Sequence, residues 1–459
     1  MKNSEKQWQQ GNLVEVEITD VSDRGDGVGR WQDRVVFVPD TVTGDRVSVR
    51  LLRVKSQYAY GGLIQLLRAS PHRLRPSCIV ADKCGGCQWQ HVHPVYQQEI
   101  KRNLILQALQ RIGGFVEPPV APLLAIANVL AYRNKAAYPL GITEGGAVRA
   151  GYYRKGSHQI VNLNQCPIQD ARLNPLLAQI KQDIAARGWS IYDERRRQGQ
   201  LRHLALRIGR HTGEILLTLV TTDLQLRDRE EMAKIWMQQY PNLVGVCLNY
   251  NPHPTNAIFG DRVECLAGRP YLREIFAGLE LHLRPQTFFQ VNTEAAEAML
   301  ASILEKLDLQ GSERLLDAYC GIGTFSLPFA RQVREVVGIE IQAASVEQAR
   351  HNVALNGITN IRFEVAAVED WLPRQSKIPD IVFLDPPRKG CDRIVIETLL
   401  RLEPSRLVYL SCKPATLARD LKILCQSGQY RLTHLQPADF FPQTAHVECV
   451  AFLERDRVS

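Results

Sequence analysis

Alternating hydrophobic and polar residues mark the first part of the chain. Residues 14–18 (Val-Glu-Val-Glu-Ile) and 46–50 (Arg-Val-Ser-Val-Arg) repeat with a period of two, the spacing of a strand with one buried face. A glycine-rich turn at 23–29 separates such strands, because glycine accepts positive φ values. The pattern predicts a small OB-like β-barrel, which we delimit as residues 1–69. Such barrels often bind nucleic acid, although a plain spacer barrel would show the same pattern.

A different rhythm occupies residues 279–459, where short apolar runs alternate with helical segments. Strands are predicted at 314–316, 336–339, 361–365, 380–384 and 407–410, and a helix at 343–356. Strands that alternate with helices indicate a parallel, doubly wound sheet, so the fold class is α/β. Ligands of such sheets bind at the carboxyl ends of the strands.

The middle segment, residues 70–278, has a mixed pattern. It opens with a group of cysteines and a predicted helix at 94–112, and then continues as a mixed α/β region. Its arginine-rich part forms a basic stripe, which is most often a solvated face. The stripe comprises Arg195, Arg196, Arg197, Arg202, His203, Arg207 and Arg210.

Composition narrows the class of protein. The 459 residues are 45% hydrophobic and 23% charged, and the formal net charge of +8 favours a polyanionic partner. The hydrophilic start lacks the apolar core of a signal peptide, and no apolar run reaches the length of a membrane span. We therefore expect a cytoplasmic protein without a membrane partner. Its 11 cysteines then need a reason other than disulfides.

A candidate nucleoside site is spread over several predicted strand ends. Residues 317–324 (Asp-Ala-Tyr-Cys-Gly-Ile-Gly-Thr) follow a strand and open a helix, and Glu340 ends the next strand. A carboxylate at that position accepts hydrogen bonds from ribose hydroxyls. Ser326 replaces the third glycine of the dinucleotide fingerprint, which favours S-adenosylmethionine over NAD. Asp385 ends a later strand, before two prolines that stiffen the loop.

A candidate nucleophile lies at Cys412, within Ser-Cys-Lys-Pro at the end of a predicted strand. Carbon 5 of uracil becomes nucleophilic only after a thiolate adds to carbon 6, and a base must later remove the carbon 5 proton. Lys413 and the following helix start predict a lowered pKa for the thiol. Glu448, near the C-terminus, is the candidate base, and His446 is an alternative that the sequence leaves open.

Four further cysteines suggest a metal site. Cys78, Cys84 and Cys87 have the spacing C-x5-C-x2-C, and Cys166 precedes a proline. Four thiolates bind zinc or an iron–sulfur cluster. We favour a [4Fe–4S] cluster, because zinc ribbons usually pair two C-x2-C knuckles and only one is present.

Together these motifs resemble the RNA 5-methyluridine methyltransferase family, in its TRAM-domain, iron–sulfur branch that modifies 23S ribosomal RNA. The resemblance covers nearly the whole chain and implies a TRAM barrel, a middle domain that carries the cluster, and a Rossmann-like class I methyltransferase domain. It implies Cys412 as nucleophile and Glu448 as base. It also implies contacts to S-adenosylmethionine from Gln290, Tyr319, Glu340 and Asp385, and cluster ligation by Cys78, Cys84, Cys87 and Cys166.

Three alternatives to 23S ribosomal RNA (uracil-C5) methylation remain open at this point. Transfer RNA is a possible substrate in place of ribosomal RNA, since related enzymes modify its T-loop. An RNA amino-methyltransferase also uses an Asp-Pro-Pro loop, but that loop usually ends in an aromatic residue, where this chain has Arg388. A non-catalytic, redox-sensing RNA-binding protein would need only the barrel and the cluster. We expect the protein to be a monomer.

Overall fold

The computed structural model of the chain divides into two compact units. It describes residues 8–124, 128–377, 379–426 and 428–456. The first unit is built from the described parts of 1–104, 153–159 and 441–446, and the second from those of 105–152, 160–440 and 447–459. The three domains expected from the sequence, with bounds at 69 and 278, stay a prediction.

A closed five-stranded barrel forms the start of the first unit, in the order β1-β2-β3-β5-β4. Alternate residues of β1, such as Val14, Val16 and Ile18, are buried in its core. Gly29 has no room for a side chain, because a Cβ there would lie 2.2 Å from Cγ1 of Val16. The prediction of an OB-like barrel is confirmed. The strands are β1 (Leu13–Val21), β2 (Gly27–Trp31), β3 (Arg34–Val38), β4 (Arg46–Val54) and β5 (Tyr58–Arg68).

The second unit contains two seven-stranded sheets and a two-stranded ribbon. In the first sheet, of order β12-β11-β10-β9-β6-β7-β8, β10 pairs in parallel with β11 and antiparallel with β9. Its strands are β6 (Lys135–Ile142), β7 (Val148–Tyr153), β8 (Ile160–Asn162), β9 (Leu201–Ile208), β10 (Ile215–Thr221), β11 (Leu243–Tyr250) and β12 (Arg262–Gly268). The ribbon joins β13 (Leu272–Phe276) and β14 (Leu279–Leu283).

Helices precede and accompany this first sheet. They are α1 (Pro94–Ala108), which continues as a π-helical turn at Leu109–Gly113, α2 (Asn174–Ala186), preceded by a 3-10 turn at Ala171–Leu173, and α3 (Arg229–Gln239). The helix predicted at 94–112 is therefore regular only as far as Ala108.

The predicted basic stripe is wrong for two of its arginines. Arg202 and Arg207 are buried in β9 rather than solvated. The guanidinium of Arg202 donates to the carbonyls of Asn251 and His253 at 2.9 and 2.7 Å. Because both faces of β9 are largely buried, side chains on neither face reach solvent. The two guanidinium groups therefore donate hydrogen bonds to backbone carbonyls instead.

The second sheet is parallel over its first five strands in space. Its order is β17-β16-β15-β18-β19-β21-β20, and β21 is the one strand of the seven that runs opposite to the others. Its strands are β15 (Arg314–Ala318), β16 (Glu335–Glu340), β17 (Ile361–Val365), β18 (Ile381–Leu384), β19 (Arg406–Ser411), β20 (Tyr430–Ala438) and β21 (Glu448–Arg455). This is the class I methyltransferase arrangement, which confirms the predicted fold.

Helices flank the second sheet and cover its apolar strands. They are α4 (Thr293–Leu307), α5 (Ser326–Ala330), α6 (Ala343–Leu355), α7 (Val368–Trp371), followed by a 3-10 turn at Leu372–Arg374, α8 (Arg393–Leu402) and α9 (Pro414–Gln426). Strand β15 has β16 as its neighbour on one side and β18 on the other. The order of the strands reverses at this point, and in such sheets a crevice opens there, beyond the carboxyl ends of the strands. Among the described residues, no helix combines the length and the apolar character that crossing a bilayer requires.

Candidate active site

The glycine loop after β15 faces open space. Tyr319, Gly321 and Gly323 all have positive φ values, of 70°, 56° and 83°. A Cβ on Gly321 would meet no atom within 4 Å, whereas one on Gly323 would lie 2.4 Å from Leu327. Gly323 is thus required for packing, and Gly321 borders a space that a ligand can enter.

Glu340 ends β16 directly beside this loop. Its carboxylate accepts hydrogen bonds from the backbone N–H of Gly321 at 3.2 Å and of Gln342 at 2.8 Å. The next residue, Ile341, is apolar and 66% exposed. A carboxylate that orients hydroxyl groups beside an apolar surface suits a ribose and a planar base, as in S-adenosylmethionine.

Two carboxyl groups lie beneath the loop. Burial and the neighbouring Asp385 and Glu340 raise the pKa of Asp317 to about 8, although Ser326 donates a hydrogen bond to it. Burial raises the pKa of Asp385 to about 7. Within the described chain, the buried Oδ1 atom of Asp317 has no hydrogen-bond partner. A cationic ligand would favour the ionised forms, so the site fits the sulfonium and ammonium charges of S-adenosylmethionine.

Tyr319 directly follows β15, and Gln290 precedes α4. Tyr319 is half-buried, and burial together with the neighbouring Cys391 raises the pKa of its hydroxyl. Gln290 is buried on the segment ahead of α4, and its carbonyl accepts a hydrogen bond from Nδ2 of Asn134 at 2.8 Å. The roles of both in cofactor binding stay predictions.

Strand pairing brings Cys412 and Glu448 together. Cys412 follows the last residue of β19, and Glu448 is the first residue of β21. These strands are antiparallel neighbours, and Ser411 pairs with Cys449. The end of one strand therefore meets the start of the other, and the thiol and the carboxyl group interact electrostatically.

A third group, Arg388, completes this cluster. It follows the Asp-Pro-Pro loop after β18, and its positive charge lowers the pKa of the Cys412 thiol. Arg388 lies near Glu448 as well, as does Asp385. Sequence reasoning noted Arg388 only because it is not aromatic. An arginine after two prolines carries no further signal, so its place beside Cys412 was not predicted.

The protonation of this cluster departs from the expected one. Burial raises the pKa of Cys412, the carboxyl group of Glu448 raises it further, and Arg388 opposes both. The expectation of a lowered thiol pKa is therefore wrong, and the cation that faces the thiol is Arg388 rather than Lys413. Burial, with a contribution from Asp385, also raises the pKa of Glu448 well above its ordinary value. A carboxyl group with a raised pKa is a stronger base once it is ionised.

The alternative base, His446, belongs to the first unit, whereas Cys412 and Glu448 belong to the second. The backbone N–H of His446 is bonded to Oγ1 of Thr444 at 3.2 Å. Within the second unit, Glu448 is among the charges that act on the thiol. The assignment of Glu448 as base stays a prediction.

The predicted cluster ligands are distributed over both units. Cys78, Cys84 and Cys87 belong to the first unit and Cys166 to the second. Cys84 accepts a hydrogen bond from the N–H of Gly86 at 3.4 Å, and burial raises its pKa. Over the described ranges, no group of three or more His, Cys, Asp or Glu side chains is placed to hold a metal ion. The geometry therefore gives no support to the predicted cluster.

Known proteins resemble this chain over most of its length. Residues 277–456 match the family tRNA (Uracil-5-)-methyltransferase, and residues 7–64 match the TRAM domain. A Nostoc protein described as an uncharacterized RNA methyltransferase is 65% identical, and the match covers 97% of each chain. A Bacillus cereus protein of the same description is 38% identical, again over 97% of each chain.

A solved structure agrees with this assignment. The Pyrococcus abyssi tRNA (uracil-54, C5)-methyltransferase, in complex with S-adenosyl-L-homocysteine, superposes with a TM-score of 0.77 at 29% identity. The match covers 96% of this chain and 100% of the other. The chain belongs to the TRAM-containing RNA (uracil-5-)-methyltransferase family, and it is an S-adenosylmethionine-dependent RNA methyltransferase.

Proposed function

We propose that this enzyme methylates carbon 5 of a uridine in RNA through a covalent adduct between Cys412 and carbon 6. The observation that carries the proposal is the cluster of Cys412, Glu448 and Arg388 at adjoining strand ends. Methylation of an exocyclic amine requires no nucleophilic thiol and no base that removes a ring proton. The cluster therefore argues against the amino-methyltransferase alternative.

The chain's own residues perform the addition and the elimination. The Cys412 thiolate, favoured by the adjacent Arg388 guanidinium, forms a bond to carbon 6 and leaves an enolate at carbon 5. Bound S-adenosylmethionine supplies the methyl group that carbon 5 takes. The Glu448 carboxylate then removes the carbon 5 proton, the electron pair restores the double bond, and the carbon–sulfur bond breaks.

The cofactor contacts are part of the same proposal. Glu340 would accept hydrogen bonds from the ribose hydroxyls, with Ile341 against the base. Asp385, Tyr319 and Gln290 would hold the methionine part near Cys412. Support comes from the space over Gly321 and from two buried carboxyl groups with raised pKa values, which a cationic ligand would ionise.

We further propose 23S ribosomal RNA as the substrate, acted on by a monomer in the cytoplasm. This rests on the cysteine spacing and on the resemblance described above. Transfer RNA is the second candidate, favoured by the similarity to an enzyme that methylates uracil 54 of tRNA. The barrel would bind the RNA backbone, so affinity would fall as salt rises.

The [4Fe–4S] cluster on Cys78, Cys84, Cys87 and Cys166 remains a separate proposal. It rests on the C-x5-C-x2-C spacing and on the electrostatic interaction between Cys78 and Cys84. Such a cluster would stabilise the fold. No catalytic step requires it.

One experiment tests the reaction and the substrate together. The enzyme is incubated with labelled S-adenosylmethionine and total RNA, the ribosomal and transfer RNAs are separated, and the labelled nucleotide is mapped. A second arm uses 5-fluorouridine RNA, from which the carbon 5 substituent cannot leave as a proton. We expect label on carbon 5 and a denaturation-resistant protein–RNA band. Label on an exocyclic amine, with no trapped band, would contradict the proposal.

A further inference from the structure

The segment Arg388–Cys391 is attached to helix α9 by hydrogen bonds. Arg419 donates from Nη2 to the carbonyl of Lys389 at 3.0 Å and to that of Cys391 at 3.4 Å. Thr416 donates from its hydroxyl to the carbonyl of Arg388 at 3.3 Å. Side chains on one face of α9 therefore fix the backbone of the segment that carries Arg388.

Asp420 holds the same segment from below. It is only 1% exposed, and its Oδ2 atom accepts hydrogen bonds from the N–H of Cys391 at 3.0 Å and the hydroxyl of Tyr409 at 2.6 Å. Its Oδ1 atom accepts one from Nε of Arg419 at 2.8 Å. Each oxygen of this buried carboxylate has a donor, and the loss of Oδ2 as an acceptor would deprive the buried Tyr409 hydroxyl of this partner.

Gly390 makes the close approach possible. Its φ of 80° is in the left-handed region that favours glycine. A Cβ at this position would lie 2.6 Å from Nη2 of Arg419 and 2.6 Å from Oδ2 of Asp420. Any side chain here would push the segment away from α9.

We propose that Asp420 and Arg419 are positioning residues, which hold the Arg388–Cys391 segment on α9 so that the Arg388 guanidinium stays at the Cys412 thiol. Helix α9 begins two residues after Cys412, so one rigid element bears the nucleophile at its start and the supports of the arginine along its length. This inference rests on the proposed function of Cys412 as nucleophile.

The place of Arg388 matters because burial, Glu448 at the start of β21 and Asp385 after β18 oppose the ionisation of the Cys412 thiol. The thiol of Cys449 also lies within electrostatic reach of Cys412. The positive charge of Arg388 favours the thiolate. If the segment moves, the thiolate loses this nearby charge, and its formation shifts to higher pH.

The test compares Gly390→Ala and Asp420→Asn with the unchanged enzyme. Alkylation of Cys412 by iodoacetamide is followed by peptide mass spectrometry as a function of pH. We expect its midpoint to move upward by about one pH unit, which slows alkylation at neutral pH roughly tenfold. Arg388→Gln should give the same shift, and adding Asp420→Asn to it should change little. Glu397→Gln, which removes the exposed ion pair with Arg393 on α8, is the matched control.

A milder variant guards against misfolding. Thr416→Val removes the exposed hydroxyl, which bonds to the carbonyls of Arg388 and Lys413, and should produce a smaller shift in the same direction. Variants that fold and keep the original midpoint would overturn the inference. Trapping with 5-fluorouridine RNA separates the two ideas. A shifted midpoint without any trapping by the unchanged enzyme would reject the proposed function alone, whereas normal trapping with unshifted midpoints would reject the positioning role alone.

Discussion

The candidate nucleophile Cys412 and the candidate cluster ligands of the first unit have different surroundings. In the second unit, Cys412 meets a carboxyl group and a guanidinium at adjoining strand ends. In the first unit, Cys84 and Cys87 accept weak hydrogen bonds from Gly86 and Gln90, at 3.4 and 3.6 Å. The first arrangement suits the proposed covalent mechanism. The second has donors that would stabilise thiolates, but no metal-binding geometry within the described residues.

This difference shows how much of a site's geometry is determined by strand pairing and how much by the spacing of cysteines in a loop. The neighbours of Cys412 are set by the register of β19 with β21, which hydrophobic packing enforces over the whole strand. The neighbours of Cys78, Cys84 and Cys87 are set by a loop, where spacing defines a possible ligand set but not its geometry. The predictions below test this contrast, from the largest expected effect to the smallest.

Replacing Cys412, the proposed nucleophile, should have the largest effect. Cys412→Ala should lower methyl transfer by roughly four orders of magnitude or more, because no adduct can form. Binding of S-adenosylmethionine should persist. Rates are measured with labelled cofactor and binding by calorimetry. Cys425→Ala, near the end of α9, serves as control and should remain active. An active Cys412→Ala enzyme would refute covalent catalysis.

Replacing Glu448, the proposed base, should lower activity less but leave a distinctive product. Glu448→Gln keeps the shape of the side chain, and turnover should fall by about 10²–10⁴. The methylated, cysteine-linked RNA should accumulate, because elimination is blocked, and a denaturing gel should show a slow band that requires both RNA and cofactor. Glu454→Gln, exposed on the same strand, is the control. Normal turnover by Glu448→Gln would redirect attention to His446.

The raised pKa of Glu448 also predicts a pH-dependent stability. Since the folded pKa lies above the unfolded one, the folded state binds this proton more tightly. The loss of folding stability that this group causes is absent at acidic pH, and it grows as the pH rises above the pKa that the group has in the unfolded state. Glu448→Gln should therefore raise the unfolding temperature at pH 8 and change it little at pH 4. Equal changes of the unfolding temperature at pH 8 and pH 4 would show that ionising this carboxyl group does not destabilise the folded enzyme.

The loop cysteines should affect metal content more than chemistry. Cys87→Ser should remove iron from anaerobically purified protein and lower its unfolding temperature, if the proposed cluster is present. The turnover of the remaining folded enzyme should change least of all. Iron and zinc are measured by elemental analysis, with Cys265→Ser as an exposed control. Unchanged protein that contains stoichiometric zinc, or no metal, would reject the iron–sulfur proposal.

Strand patterns predicted much of the fold, and local motifs predicted part of the site. The strand expected at 361–365 is β17, and the helix expected at 343–356 ends one residue early, at Leu355. The sequence could not reveal that Arg202 and Arg207 bind carbonyls in a buried strand, since arginines are usually exposed to solvent. It could not place Arg388, because its position depends on Arg419 and Asp420, which carry no motif of their own.

The pairing of Ser411 with Cys449 has a consequence for how this enzyme tolerates change. The separation of Cys412 and Glu448 is fixed by a ladder of backbone hydrogen bonds and not by the chain that connects them. Lengthening the connection between β20 and β21 should leave the pair in place. A single residue inserted inside β21 would turn Glu448 to the opposite face of the sheet. Insertions that differ by only a few positions should therefore have opposite outcomes.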